Sequence, residues 1–374
     1  MIQKIKQKLI SVYLSKRKLF NVIGILLFAG LLIIFGSRHN QKKAEPLQAS
    51  PLPRLTPSAK PFTANPNEDY FINQIITNLT PVTGYSWKGN KLVYSTPNGI
   101  YEAGTNNPVL EQNIESIVWA NSFNAILKSG GSWKKFDYLN KKTEELPYPL
   151  NDPVINSKGE KILDRQRNIV KLFDLIKNTN KEASFEELVD RIFFIEDISG
   201  FIVSTTSNNK THVYKYNEGF TREQSVVLEG NFELSSISPN GDSFLLTFGN
   251  ELKVANFSGS ISNNVFAKGS GLSTGYVDGN KIVIIERYKD SLNRSLENIY
   301  LSNLQGNKFK ISDSKPMKNR INMDIPIAFS KGGGVVSFAE NNGKIWILAL
   351  TPNMFPTYST RGDLVFSKID SKGF

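Results

Sequence analysis

The chain has 374 residues, 40% of them apolar, no cysteine, and a formal net charge of +11. Its length and apolar content suffice for one large packed domain, and the lack of Cys removes disulfides, thiol nucleophiles and Cys metal sites. The charge excess does not point to nucleic acid: residues 1–66 hold eleven Lys/Arg and one acid, Glu45, while the rest holds 34 basic and 33 acidic residues. A nucleic-acid surface needs a basic face on the folded part, which composition does not support.

In chain order, residues 1–18 form a basic tail that includes Lys4, Lys6, Lys8, Lys16, Arg17 and Lys18. Residues 19–37, LFNVIGILLFAGLLIIFGS, are uncharged. At helical rise they span roughly 28 Å, about one hydrocarbon core. Arg38, Lys42 and Lys43 follow. The heavier basic flank precedes the apolar run, which predicts a single transmembrane span with the N-terminus in the cytoplasm and the C-terminal part outside. The run is longer than a signal-peptide core and no A-x-A site follows, so an uncleaved signal anchor is expected. An exported chain without disulfides suits a bacterial cytoplasmic membrane. Residues 38–66 form a linker in which AEPLQASPLPRLTPSAKPFTANP carries six prolines. They predict a semi-extended spacer.

From residue 67 to 374 the chain repeats. The stretch SISPNGDSFLLTFGNELKVANF, Ser236 to Phe257, reads as turn, strand, turn, strand. Related hairpins occur at YSWKGNKLVYS, VWANSFNAILKS, INSKGEKILDR and IEDISGFIVSTT, then at YVDGNKIVIIE, FSKGGGVVSFAE and YSTRGDLVFSK. Seven of the eight carry a turn glycine: Gly89, Gly159, Gly200, Gly241, Gly279, Gly333 and Gly362. The spacing is about 39 residues per step, the period of a β-propeller blade. A third strand follows seven of the hairpins (for example SWKKFDYL and GKIWILAL) but not the last. An all-β propeller of seven blades follows, or eight if the last hairpin opens a blade of its own. The segment YFINQIITNL, residues 70–79, is expected to add a strand that closes the ring on the C-terminal blade. The copy SPNGDSFLLTF resembles the WD40-like repeat (PD40 type) of TolB and related envelope proteins, over about residues 83–370. That resemblance implies a propeller; the family's partners do not carry over with it.

One insertion breaks the pattern. ASFEELVDR places Glu187 three residues after Ser184, a capping box, which predicts a short helix near residues 184–191.

Catalytic signals fail on context. GLSTG, residues 271–275, fits G-x-S-x-G, but strand rather than helix is expected after Ser273, so it reads as a connection between blades. The only histidines are His39 and His212. AENNGKIW faintly resembles an Asp box, a structural motif. Asp152, Asp164, Glu196, Asp242 and Asp278 supply acids, but linear sequence places no two of them together. No zinc, calcium or dinucleotide pattern occurs, and no metal or cofactor is expected. Trp87 and Trp119, on first-strand signals, are expected between blades. Residues just before first strands, Glu115, Asp152, Arg191, Glu233 and Asp324, are the candidate binding residues at the channel mouth. The sequence thus points to a membrane-anchored extracytoplasmic propeller that binds or scaffolds an envelope protein or glycan. A propeller hydrolase acting on envelope glycans or peptides is the alternative.

Overall fold

The computed structural model describes residues 72–368, apart from 78–79, 105–107, 121, 263–266, 269–270, 278–279, 305–307, 311–320, 331–333 and 360–362. The expected transmembrane segment 19–37, the linker, Asp278, Gly279, Gly333 and Gly362 lie outside the described residues. Among those described, no helix is long and apolar enough to cross a membrane.

The described residues form strands and no helix. After β1 (Ile72–Thr77) comes blade 1: β2 (Gly84–Lys88), β3 (Lys91–Thr96), β4 (Gly99–Glu102) and β5 (Pro108–Glu111). Blade 2 is β6 (Ser116–Trp119), β7 (Ala125–Ser129), β8 (Ser132–Asp137) and β9 (Lys142–Glu145). Blade 3 is β10 (Pro153–Ile155), β11 (Lys161–Gln166), β12 (Ile169–Asp174) and β13 (Thr179–Ser184). Blade 4 is β14 (Val189–Ile195), β15 (Gly200–Ser207), β16 (Lys210–Asn217) and β17 (Arg222–Glu229). Blade 5 is β18 (Glu233–Ile237), β19 (Ser243–Phe248), β20 (Glu251–Asn256) and β21 (Ala267–Lys268). Blade 6 is β22 (Gly271–Tyr276), β23 (Lys281–Lys289), β24 (Ser295–Asn303) and β25 (Lys308–Lys310). Blade 7 is β26 (Ala328–Phe329), β27 (Val335–Ala339) and β28 (Lys344–Ala349), and β1 supplies its fourth, outermost strand. A final hairpin, β29 (Met354–Tyr358) and β30 (Leu364–Lys368), forms its own two-stranded sheet.

Each blade is an antiparallel sheet, in chain order except for β1 in blade 7, and seven blades stand in a ring. Its closure shows in the core. The apolar residues fall into seven clusters, and each cluster joins two neighbouring blades. Leu246 and Phe244 of blade 5 pack with Ile195 and Ile202 of blade 4. Leu245, one residue along, packs with Ile282 and Ile284 of blade 6. Successive side chains of a strand point to opposite faces, and here both faces are covered. That is why the second strands read as continuous apolar runs, SFLLTF and KIVIIE, rather than as alternation. The last seam joins blade 7 to blade 1, with Val335, Ile345 and Ile347 against Tyr85, Trp87 and Leu92. Each fully buried Leu or Ile contributes about 1.5–3 kcal/mol.

The closing strand lies where the sequence reading put it, with Ile72 opposite Leu348 and Thr77 opposite Lys344. The eighth hairpin does not start a blade. It caps the closing seam: Leu364 is buried among Tyr85, Trp87 and Ile347, and its N–H donates to Asn90 O at 2.9 Å. Asn73 Nδ2 donates to Pro356 O at 2.8 Å, tying β1 to β29.

Two expectations are corrected. The helix near residues 184–191 does not form. Ser184 ends β13 opposite Ile169, and Val189 opens β14. Backbone N–H groups of the segment are used across strands instead: Phe185 N donates to Asn168 O and Val189 N to Arg167 O. Glu187 accepts from the Thr205 and Ser207 hydroxyls instead of reaching back to Ser184. A helix of about eight residues is too short to outweigh sheet pairing. GLSTG is likewise no connection. It is β22, the innermost strand of blade 6, paired residue for residue with β23.

Candidate functional site

Two faces of the ring follow from strand direction. On the upper face the first strands begin, and second strands turn into third strands. On the lower face the first and third strands end. The turn glycines Gly89, Gly159 and Gly241 therefore lie on the lower face.

A central cavity of about 1170 Å³ is lined by residues of all seven blades. Its wall is uneven. Along blades 7, 1 and 2 it follows the first strands themselves, past Phe329, Tyr85, Trp87, Ile117 and Trp119. At blades 3, 4 and 5 it touches only residues that follow the first strands: Ser157, Glu196, Asp197 and Pro239. Tyr276, Val277 and Lys281 complete the wall at blade 6. The lining is thus weighted to the lower face, although Ile325, Pro326 and Thr83 carry it to the upper ends of the first strands at blades 7 and 1, and an aromatic and aliphatic side stands opposite a carboxylate-bearing one. Glu196, Asp197 and Lys281 are exposed.

The aromatic wall is fixed from behind. Trp87 Nε1 donates to Ser337 Oγ at 2.9 Å, and Tyr85 OH to Ser337 O at 3.2 Å, both reaching from blade 1 into blade 7. Trp119 Nε1 donates to Ser95 Oγ at 3.3 Å, from blade 2 into blade 1. Tyr276 OH meets Ser243 Oγ at 3.1 Å, from blade 6 to blade 5. In each case a first-strand aromatic bonds a second-strand serine of the preceding blade. The two tryptophans are interblade residues, as the sequence suggested. Burial pushes the Tyr276 phenol up to about 12, against the opposing Ser243 hydrogen bond, so it is a neutral group at physiological pH.

The five residues picked from the sequence lie on the upper face, and none lines the cavity. Glu115 accepts from Gly131 N at 3.0 Å. Asp152 pairs with Arg165. The Arg165 guanidinium also donates to the carbonyls of Val189 and Asp190 in blade 4. Arg191 pairs with Glu233 across blades 4 and 5. Asp324 is exposed in the turn before β26, its N–H bonded to Asn322 Oδ1 at 3.0 Å. The structure brings Arg191 and Glu233 together and links them through Asp190 and Arg165 to Asp152, a polar chain over blades 3 to 5. Glu115 and Asp324 stand apart from it. Choosing residues before first strands selected the upper rim, where only Thr83, Ile325 and Pro326 of blades 1 and 7 reach the cavity, while at blades 3 to 5 the lining comes from the lower turns. Asp197, Lys281 and Ser157 were missed, although Asp197 and Ser157 sit in the turn between first and second strands that defined the repeat and Lys281 opens the second strand just after one.

Among the described residues no group of three or more His, Asp or Glu is placed to hold a metal ion. A scan against models of protein families finds no match. A search of curated proteins finds none either.

Proposed function

We propose that this chain is a membrane-anchored, extracytoplasmic propeller that binds or scaffolds a protein or glycan of the bacterial envelope. The fold is a seven-bladed propeller, an architecture suited to binding. Its repeats are of the WD40-like kind resembled by SPNGDSFLLTF. Residues 19–37 hold the chain in the cytoplasmic membrane with the propeller outside. The observation that carries the binding reading is the central cavity, to which every blade contributes. Half-buried Trp119, held by its bond to Ser95, and half-buried Phe329 offer flat contact area, with Tyr85 and Trp87 buried behind the wall, and Glu196 and Asp197 add carboxylates, as a peptide segment or a saccharide requires.

Two measurements test it. Protease added to intact spheroplasts is expected to cut after Ser37 and spare the N-terminal tail; protection of the propeller would sink the orientation. A photo-crosslinking amino acid at Asp197 of the full chain in its membrane is expected to capture a defined adduct. The same group at Lys181, on the outer strand of blade 3, is expected to capture none. Equal yields from the two positions would remove the cavity from the proposal.

A further inference from the structure

The turn between third and fourth strands is built alike in four consecutive blades. An Asp or Asn side chain accepts the N–H two residues on: Asp137 from Leu139 at 2.9 Å, Asp174 from Ile176 at 3.1 Å, Asn217 from Gly219 at 2.8 Å and Asn256 from Ser258 at 3.0 Å. In blades 4 and 5 the outward position holds Gly219 and Ser258, residues suited to a solvated turn. In blades 2 and 3 it holds Leu139 and Ile176, which are 78% and 68% exposed. Nothing in the turn requires them, because the residue before each already fills a seam, Tyr138 in one and Leu175 in the other.

The two apolar tips belong to equivalent turns of neighbouring blades on the lower face, and lysines outnumber the carboxylates beside them, which are Asp137 in one turn and Asp174, 3.9 Å from Lys177, in the other. Lys141 and Lys142 follow the first tip and Lys177 the second, and Lys158 lies in the blade 3 turn on the same face. Apolar tips flanked by lysine match the boundary of an anionic bilayer, where acyl chains lie below a layer of phosphate.

The position of the tether agrees. β1 runs antiparallel to β28, so its first residue, Ile72, lies at the lower end of blade 7. The chain that leads to the anchor therefore reaches the ring on the face that carries the tips. The 34 residues between Ser37 and Ile72 limit the separation to roughly 100 Å at ~3.1 Å each, and they fix no orientation. A tethered second contact acts at an effective concentration of order millimolar, so a weak contact suffices.

We propose that Leu139 and Ile176, with the lysines beside them, seat the lower face of the propeller on the anionic phospholipid surface of the membrane that holds its anchor. This rests on the anchored reading above. Most of the cavity's lining lies toward the same face, so its occupant would be reached along the membrane surface.

The cysteine-free chain permits a direct test. Full-length Leu139→Cys, Ile176→Cys and Leu292→Cys variants carry an environment-sensitive fluorophore and are reconstituted into vesicles with nitroxide-labelled lipid. Leu292 is a control, 70% exposed on the upper face. In phosphatidylglycerol-rich vesicles the probes at 139 and 176 are expected to shift to the blue and lose emission, while the probe at 292 does neither. In pure phosphatidylcholine the loss is expected to vanish, as it is when Lys141, Lys142 and Lys177 are all changed to Gln. Vesicle flotation, read in parallel, reports the anchor. A chain that floats without quenching at 139 and 176 overturns the contact and leaves the anchor standing. A chain that does not float overturns both. Quenching equal at 292, or unchanged by the lysine substitutions, overturns the assigned face or its charge dependence. A blue shift that needs added protein and no lipid overturns the proposal in favour of a protein partner.

Discussion

At the scale of single residues, two glycines with the same backbone separate two effects. Gly89 and Gly241 have φ of +59° and +70°, where a Cβ costs of order 1 kcal/mol. A Cβ on Gly89 would meet nothing within 4 Å, whereas one on Gly241 would come within 2.8 Å of Ile195 Cδ1. Gly241→Ala is therefore expected to lower the denaturant midpoint more than Gly89→Ala, and equal shifts would refute the crowding. The carboxylate of Glu340 makes a second case. Glu340 is 1% exposed, and among the described residues neither of its oxygens has a hydrogen-bond partner. Glu297, also buried, pairs with Arg287 at 2.8 Å and accepts from Ile321 N at 3.2 Å. The backbone of Ile321 also bridges to that of Glu340. Removing a charge that has no partner relieves a desolvation cost, while removing one of a buried pair strands the other. Glu340→Gln is expected to be neutral or stabilising and Glu297→Gln to destabilise by about 3 kcal/mol, measured by denaturant unfolding. The reverse order would show that Glu340 is compensated in some other way.

At the scale of the element, the second strands are the most exacting part of the ring, since both of their faces are seams. Leu246→Asp places an unpaired charge between blades 4 and 5 and is expected to cost about 4 kcal/mol or more. Ser260→Asp, exposed on the following connection, is expected to cost almost nothing. A Leu246→Asp midpoint equal to that of the parent would remove the hairpin from the seam. The Asx turns give a pH dependence. The Asp174 carboxyl is held below the usual carboxylate range, first by the N–H of Lys177, against some desolvation, and further by the N–H of Ile176 and the charges of Lys161 and Lys177. A depressed native value contributes stability above the unfolded value, near 4, and loses it as pH falls through the native one. Asp174→Asn is therefore expected to cost stability at neutral pH and progressively less in acid. A cost independent of pH would deny the carboxylate this role.

These same elements show what the sequence could disclose. Turn glycines followed by apolar runs marked the hairpins because a tight turn and a doubly covered strand each demand particular residues. Ser184–Arg191 misled because a capping box specifies only a local preference, and pairing with β12 and packing of Phe185 against Tyr214 and Tyr216 outweigh it. The cavity was illegible because its lining depends on the position of whole strands about the axis. The aromatic-to-serine bonds between blades join residues as far apart as Trp87 and Ser337, beyond the reach of any local pattern.

At the scale of the whole molecule, closure rests on both ends of the propeller chain. β1 completes blade 7, and β29–β30 seals the seam beside it. A fragment that begins at Val82 is expected to have a lower denaturant midpoint and a greater tendency to aggregate than one that begins at Asn67, because the outer edge of β28 is left bare. A synthetic peptide of residues 70–79 is expected to restore part of the loss. Equal midpoints for the two fragments would make β1 an ornament rather than a clasp.

The clasp also sets a timetable. A chain is made from its N-terminus, so β1 is among the first strands of the ring to leave the ribosome, yet its partner β28 is among the last. Asn73 and Pro356, which hold the two ends together, are 283 positions apart. At about 5–20 residues per second, β1 waits on the order of half a minute with its backbone groups unpaired. During that wait the blades can pair internally, because each is local, but the ring cannot lock. The nascent propeller is therefore an open arc with two raw edges until synthesis is nearly complete. Its most vulnerable moment falls before the last strands arrive, when a chaperone or a neighbouring copy could claim the waiting strand.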